Sequence, residues 1–395
     1  MALYRIFPEK DTFIYTEGPL ANLGRDALLE VGGYPTSAGG QTLRTLIKFS
    51  TEEIKDVLTD KVGATLTTGS EYINTTGFSA SLHLTLNYAA ELPIDYSINV
   101  HPLAEEWDEG TGKFGDVPVD KSGCSWSFKN AAADRWNSGS VSISGALTGS
   151  GWNSGVSELY TTSSYNPELP GGGQWYFTSG SNPVPISGSI SFTKNSDHDL
   201  DVDVTRMVDY YANNFMTNYG MMVKLPNPLE FNNNSSVRLK YYGEDTNTIY
   251  PPYLEVKWDD YSHTSSLSEI TDPEAVISIK NNKGKYTDEG KQRFRIHARP
   301  KYPVRTYTTS SAYITNYTLP TASYWGLRDE NTEEMVFDFD TTFTKLSADN
   351  TSNYFDIYMD GLQPERYYRL LVKTEIDGNT TIIDNDQIFK VVRNG

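Results

Sequence analysis

Strict alternation of apolar and polar side chains is what most restricts the folds open to this chain. In "FSASLHLTLNY", Phe78, Ala80, Leu82, Leu84, Leu86 and Tyr88 fall on one face of an extended strand, with Ser79, Ser81, His83, Thr85 and Asn87 on the other. "PIDYSINVH" repeats the pattern, with Ile94, Tyr96, Ile98 and Val100 opposite Asp95, Ser97, Asn99 and His101. The loop-like "NYAAELP" lies between them, so the two segments read as neighbouring strands of an antiparallel sheet with one wet face. "DTFIYT", "DALLEVGG", "RTLIKFS", "SVSIS", "GSISFT", "GMMVKL", "SVRLKYY" and "YLEVKW" read as further strands.

Helical spacing is scarce. "FSTEEIKDVL" offers Ser50 as an N-cap with Glu53 three residues on, and then Ile54, Val57 and Leu58 on one side. A second helix is expected where Met207, Val208, Tyr211 and Phe215 recur. Two such short segments cannot cover a parallel sheet, so the expected class is all-β, with the helices as plugs.

A chain of 395 residues, 37% hydrophobic, is long for one core and suits two unequal domains. The formal charge of −18 repels phosphate backbones and anionic lipid, which argues against nucleic acid and membrane as partners. Cys124 is the only cysteine, which excludes an intrachain disulfide and a cysteine-based zinc site. "MALYRIFPEKDTF" has no basic head followed by an apolar run, and no later stretch has the length of a membrane span, so synthesis in a reducing cytoplasm is expected.

Residues 137–189 differ in kind: they are rich in Gly, Ser and Pro, yet five of the seven tryptophans lie between positions 107 and 175. A flexible linker would not carry so many rings, and the segment reads as long inter-strand loops that pack on the sandwich or against a partner. The first domain is expected to span 1–260, closing at "YPPYLEVKWDD", with a linker at 261–272 and a second β domain at 273–395. In the latter, "NYFDIYMDGLQPERYYRLLVKTEIDGNTTIIDNDQIFKVV" reads as three strands, with Asp377-Gly378 as a hairpin turn. No fixed short repeat points to a solenoid or propeller.

"DTFIYTEGPLANLGRDALLEVGG", "RTLIKFS", "SASLHLTL", "HPLAEEWDEGTG", "VDVTRMVDYY", "NYGMMVKL" and "PPYLEVKWDD" resemble, in order, the DNRLRE-type β-sandwich, a jelly-roll-like module of bacterial surface proteins and of proteins beside polysaccharide-active enzymes. "GLQPERYYRLLVKT" is similar to the end of a fibronectin-III-like sandwich, in which Leu362, Pro364 and Tyr368 would form a tyrosine corner. With "RPKYPVRTYTTSSAYITNYTLPTASYW" and "YYGEDTNTIYPPYLEVKWDD", the second half resembles the C-terminal region of virion structural proteins from tailed phages of marine bacteria. The resemblance implies an assembly component: an accessory or decoration part of head, neck or tail, in multiple copies, with other virion proteins as partners.

Against this stand the constellations that could carry chemistry. Asp197, Asp199, Asp201 and Asp203 share one side of a strand but lack the glycine bend and terminal glutamate of a calcium loop. They read as a solvated face, with Asp203 or Thr205 capping the following helix, and no metal site is expected. His83 and His101, with Asp95, could meet across a sheet, although exposed histidines on a wet face are the commoner case. "AEEWDEG" supplies Glu105, Glu106, Asp108 and Glu109, and paired carboxylates serve glycoside hydrolysis, but successive acids in a turn diverge. Trp107 among them matches a core position of the resembled family.

No nucleophile elbow or phosphate loop is present, and Cys124 reads as a small buried residue, so neither catalysis nor a cofactor is expected. Trp152, Trp175, Tyr176 and Phe177 remain as candidate interface or glycan-contact residues, or as a cover folded back on one sheet. The reading is a non-catalytic virion protein of two β-sandwiches, jelly-roll-like and then immunoglobulin/fibronectin-III-like. A carbohydrate-binding module contacting host surface glycans is the alternative.

Overall fold

The computed structural model describes residues 2–394 other than 37–38, 69–76, 91, 94, 132, 138–140, 144–156, 162–169, 179–185, 194, 231–235, 273 and 303–315. The chain is all-β, with antiparallel sandwich-like sheets and short helices. It divides into two compact units, Ile6–Val256 and a second made of Lys257–Gly395 together with Met1–Arg5.

In the Ile6–Val256 unit the larger sheet runs in the order Gly188–Thr193, Asp95–Pro102, Met221–Lys224, Gly39–Phe49, Leu28–Thr36, Val237–Tyr242, Leu86–Ala90, with Pro8–Tyr15 also paired to Gly39–Phe49. The smaller sheet includes, in order, Tyr253–Trp258, Phe78–Leu84 and Leu200–Asp203. Phe78, Ala80, Leu82 and Leu84 are buried as the alternation requires, as are Tyr96, Ile98 and Val100. Two expectations need correction. The strand through Leu86 and Tyr88 breaks at Thr85, whose carbonyl accepts from Tyr242 N at 3.1 Å, and Leu86–Ala90 pairs in the other sheet, leaving Tyr88 half exposed. Phe78–Leu84 and Asp95–Pro102 are not neighbours but belong to different sheets. Alternation sets which face is buried, whereas pairing depends on where the chain turns.

The helices form where expected. Ser50 Oγ accepts from Glu53 N at 3.4 Å and starts Thr51–Asp56. The second helix, Thr205–Ala212, buries Met207, Val208 and Tyr211. Its N-cap is Val204, which makes no side-chain cap bond, so neither Asp203 nor Thr205 is the cap as expected; Asp203, one residue earlier, accepts from Thr205 N at 2.9 Å and from Thr205 Oγ1 at 2.6 Å. The same Oγ1 accepts from Ala80 N at 2.9 Å, which ties the helix to the smaller sheet.

The second unit stacks a four-stranded sheet, Ala275–Lys280, Lys291–Pro300, Asn353–Tyr358, Ser347–Ala348, on a five-stranded one, Lys285–Thr287, Asn379–Val392, Tyr367–Ile376, Ser323–Asp329, Met335–Phe337. This is the strand order of an immunoglobulin-type sandwich. Phe294, Ile296 and Phe355 from one sheet and Trp325, Leu370, Val372 and Phe389 from the other form one core, with Trp325 stacked on Phe355 at 5.1 Å. Asp377 and Gly378 both take positive φ, 50° and 75°, between the paired ends Ile376 and Asn379. That is the backbone twist a two-residue hairpin needs.

Tyr368 is buried and its hydroxyl donates to Gln363 O at 2.9 Å, five residues upstream. Tyr368→Phe is expected to lower the stability of this unit by about 1 kcal/mol, by loss of one buried hydrogen bond, measured as a shift in the urea midpoint.

Two segments lie elsewhere than the expected boundaries put them. The stretch 261–272 is hydrogen-bonded to the second sandwich rather than free: Thr264 N donates to Ala348 O and Ile270 N to Thr318 O, both at 2.9 Å, and Ile270 is buried. The first residues also pack there, with Leu3 in the core, Tyr4 edge-on to Tyr358 at 6.3 Å and the Arg5 guanidinium 5.0 Å from the Phe337 ring.

Candidate functional site

Three arrangements in the Ile6–Val256 unit bring together the side chains that carry chemistry. The first lies on the outer face of the larger sheet. Because side chains alternate, Arg44 shares its face with Leu46, and Lys224 shares its face with Met222; Met222 pairs directly with Leu46. That face is covered by the tryptophan-rich segment, in a cluster of Ile14, Leu46, Leu103, Trp107, Cys124, Trp126, Trp136, Trp175 and Met222. The segment is not loop alone: Gln174–Thr178, Ser157–Thr161 and Val141–Ile143 form a three-stranded antiparallel sheet. The indole N–H groups find carbonyls, Trp107 on Tyr219 at 2.9 Å, Trp126 on Pro170 at 3.1 Å and Trp136 on Ser125 at 2.8 Å.

Trp175 is 1% exposed and Tyr176 8%, so neither presents a ring for a partner or a glycan, which corrects the expectation of an interface. Phe177 pairs through its backbone with Glu158; its side chain, like all of Trp152, lies outside the described residues.

Beneath Trp175 three charges are wholly enclosed. Arg44 grips Glu230 with two bonds, Nε to Oε1 at 2.7 Å and Nη2 to Oε2 at 3.0 Å, and its third nitrogen donates to Gly172 O. Lys224 Nζ lies 2.8 Å from Glu230 Oε2 and donates to Leu225 O and Asn227 Oδ1, each at 2.8 Å. The guanidinium is sandwiched between Trp126, at 5.0 Å, and Trp175, at 4.8 Å, with the ammonium 5.0 Å from Trp175. Burial would raise the Glu230 carboxyl, but the two cations outweigh it and hold it below its usual range. Burial lowers Lys224 to about 8 despite Glu230. Burial, Lys224 and Arg44 together lower His101 to about 3, so its ring stays neutral.

The second arrangement draws on the acids around Trp107. Asp11, Glu109 and Glu244 each place a carboxylate oxygen within 4.8 Å of the others. Asp11 is 1% exposed, on the same face of its strand as Phe13; it accepts from Glu244 N at 2.7 Å, and its own N–H donates to Glu109 Oε1 at 3.1 Å. Arg25 lies 3.6 Å from Glu109 and 3.2 Å from Asp245. Three hard oxygens so placed have the donor chemistry of a divalent cation; a retained proton relieves the same repulsion. Burial is the main cause that raises Asp11 to about 8, with Glu244, Glu109 and Asp245 adding to it; Glu244 is raised to about 7 and Glu109 is also raised.

The folded chain therefore keeps a proton on Asp11 that the unfolded chain has released. The stability this contributes is fully present below about pH 4 and is lost as pH rises toward about 8. Asp11→Asn is expected to raise the urea midpoint at about pH 8.5 and to leave it nearly unchanged near pH 4. Parallel pH profiles for variant and parent would contradict this protonation.

The third is a cavity of about 400 Å3 lined by Glu105, Glu106, Asp108, Lys129 and Asp134 among others. Three of its four acids are engaged. Glu105 takes Lys129 at 3.0 Å and two bonds from Asn137, Glu106 takes Lys10 at 3.0 Å, and Asp134 takes Asn130 Nδ2 at 2.7 Å. Glu109 points away to Asp11 and Glu244, but Glu105, Glu106 and Asp108 line this one cavity, so the expected divergence of the four acids of the turn holds for Glu109 alone.

The aspartate row is exposed at all four positions, with Asp199 accepting from Leu86 N at 2.6 Å. His83 and His101 do not meet: His83 stacks on Tyr253 at 4.8 Å in the smaller sheet, and His101 lies under Trp175 at 6.3 Å. Burial pushes the Cys124 thiol well up, so it is no nucleophile. Sequence reasoning missed Arg44, Lys224, Glu230, Asp11 and Glu244. The one available signal was a charged residue in phase with core positions, as Arg44 is with Leu46.

Fold and sites together describe an all-β, sandwich-built protein whose aromatic and acidic groups in this unit largely hold its own sheets together. No protein-family model matches the sequence, and no curated protein matches it significantly. Among the described residues no helix is long and apolar enough to cross a membrane.

Proposed function

We propose that the chain is a non-catalytic structural protein of a tailed-phage virion, an accessory or decoration part of head, neck or tail that binds other virion proteins in symmetric copies. The observation that carries this reading is the use made of the groups suited to chemistry. Three of the four acids of the 400 Å3 cavity, Glu105, Glu106 and Asp134, are held in ion pairs and hydrogen bonds, and Trp175 closes over a buried charge triad. A β-sandwich so reinforced suits a rigid part with neighbours on several sides. The resemblance of "GLQPERYYRLLVKT" and the segments before it to phage virion proteins points the same way. Mass spectrometry of purified particles from a host carrying the corresponding phage tests it: the chain is expected in stoichiometric amounts, and its absence from intact particles ends the proposal.

A further inference from the structure

On the face of the larger sheet opposite Arg44 and Leu46 lies a pit of about 200 Å3. The strand register explains it. Tyr15 stands opposite Leu43, Leu43 opposite Gly32 and Gly32 opposite Arg238, a row across four strands to which Gly32 contributes no side chain. Gln41 and Tyr34 oppose one another in the next row, and Phe13 shares the face of Tyr15. Phe114 closes one side from a loop. The rings are inclined, Phe13 to Tyr15 at 38° with centroids 6.0 Å apart and Tyr15 to Phe114 at 48° and 6.1 Å. They wall a pit rather than lay out one flat stacking surface.

Two observations point to an occupant. Gln41 is 4% exposed and its Oε1 has no hydrogen-bond partner among the described residues, which is unfavourable unless a ligand supplies one. Phe114 is 64% exposed and opens a loop that also exposes Val117 at 95% and Val119 at 51%. That loop is pinned: Phe114 N donates to Asp26 Oδ2 at 2.9 Å, Lys113 N to Asp116 Oδ2 at 2.8 Å, and Asn22 N to Asp120 O at 3.0 Å. Apolar side chains held in water on a fixed loop are preorganised for a partner.

We propose that this surface docks a protein partner that seats one tyrosine side chain in the pit, with Val117 and Val119 against the residues beside that tyrosine. The ring packs between Tyr15 and Phe114 over Leu43. The Gln41 acceptor lies deep, and a phenol carries its hydroxyl at the far end of the ring, so a ring entering end-on brings the two together. A phenol hydroxyl both donates and accepts, and so pairs with the Gln41 amide whichever way that amide is turned, whereas an indole only donates.

Other occupants fit less well. Glu30 is matched by Arg238 at 3.2 Å and Lys240 at 2.5 Å, and the Arg238 guanidinium lies 5.5 Å from the Tyr34 ring. An ammonium group therefore meets a cation where it needs an open π face. An anion meets Glu17 and Glu30 in the lining. A pyranose brings several hydroxyls against walls made mostly of rings, where most of them stay unpaired. A phenylalanine leaves the Gln41 oxygen without a partner.

The test titrates the full chain with N-acetyl-tyrosinamide, the phenylalanine and tryptophan counterparts, methyl glucoside and butylammonium, read by the NMR shifts of the Gly32 and Leu43 backbone amides. The tyrosine amide is expected to bind saturably with a dissociation constant in the millimolar range, roughly five-fold tighter than the phenylalanine amide for its one added hydrogen bond. Gln41→Leu should abolish that margin. Phe114→Ala, whose ring is mostly in water, should keep the thermal transition and weaken the tyrosine amide several-fold. The proposal is overturned if the tyrosine amide does not bind, if any of the other four binds as tightly, or if folded variants bind like the parent. Should Gln41→Leu fail to fold, the margin in the parent and the Phe114→Ala titration decide. That the partner is a virion protein rests on the particle reading, but the seat for a tyrosine does not. A chain absent from intact particles that still prefers the tyrosine amide ends the first and keeps the second, and a particle component without that preference does the reverse.

Discussion

Replacing Glu230 by glutamine is expected to cost about 3–5 kcal/mol of stability in the Ile6–Val256 unit, seen at pH 7 as a large fall in the urea midpoint. The substitution keeps shape and volume but removes the only negative charge of the triad. Arg44 and Lys224, both 0% exposed, are then left with no anion at 2.7–2.8 Å. Arg44 stays charged and cannot reach water, Lys224, lowered to about 8 even beside Glu230, is driven lower still without it, and neither indole face replaces a carboxylate, since a cation–π contact contributes about 2 kcal/mol even when desolvated. Converting all three together, as Arg44→Met, Lys224→Met and Glu230→Leu, is expected to recover most of the loss, because no charge is then buried without a partner. A Glu230→Gln loss below about 1 kcal/mol would mean that these charges are solvated in solution, contrary to their enclosure.

Trp175→Ala is expected to destabilise the same unit by about 3–5 kcal/mol, the range for truncating a large buried ring. The ring fills the space between the larger sheet and the segment that covers it, and both cations of the triad lie against it, at 4.8 Å and 5.0 Å. Trp175→Phe should cost clearly less, as it keeps a π face over Arg44 while giving up volume. The measurement is again the denaturant midpoint, read beside the second unit's transition as an internal reference. A Trp175→Ala protein of unchanged stability would return this ring to the surface, and with it the glycan-contact reading.

Much of the architecture was legible because it rests on local periodicity. The strand at Tyr253–Trp258, the Ser50 cap, the helix at Thr205–Ala212 and the Asp377-Gly378 turn each depend on residues within one or two turns or pleats of one another. The buried Tyr368 was expected only from the resemblance of "GLQPERYYRLLVKT" to a fibronectin-III-like strand; its bond to Gln363 O spans five residues. The sites were not legible. Arg44 and Glu230 are separated by 186 positions, and Asp11 and Glu244 by 233. Arg44 looks like an ordinary solvent-facing strand residue until the tryptophan segment is known to cover that face. Abundant glycine and serine suggested open loops, while the rings among them drove the segment onto Ile14, Leu46 and Met222.

By itself, then, the sequence determined the class: antiparallel strands, short helical plugs, two successive sandwiches, and which side of most strands avoids water. Those are consequences of a two-residue repeat and of turn chemistry, which act over short spans of chain. Only the tertiary structure decided that Phe78–Leu84 and Asp95–Pro102 lie in different sheets, that Leu3 enters the core of the C-terminal sandwich, and that three charges are sealed beneath Trp175. Pairing and burial between distant segments arise from the balance of desolvation and contact summed over the folded chain, and no local pattern carries that sum.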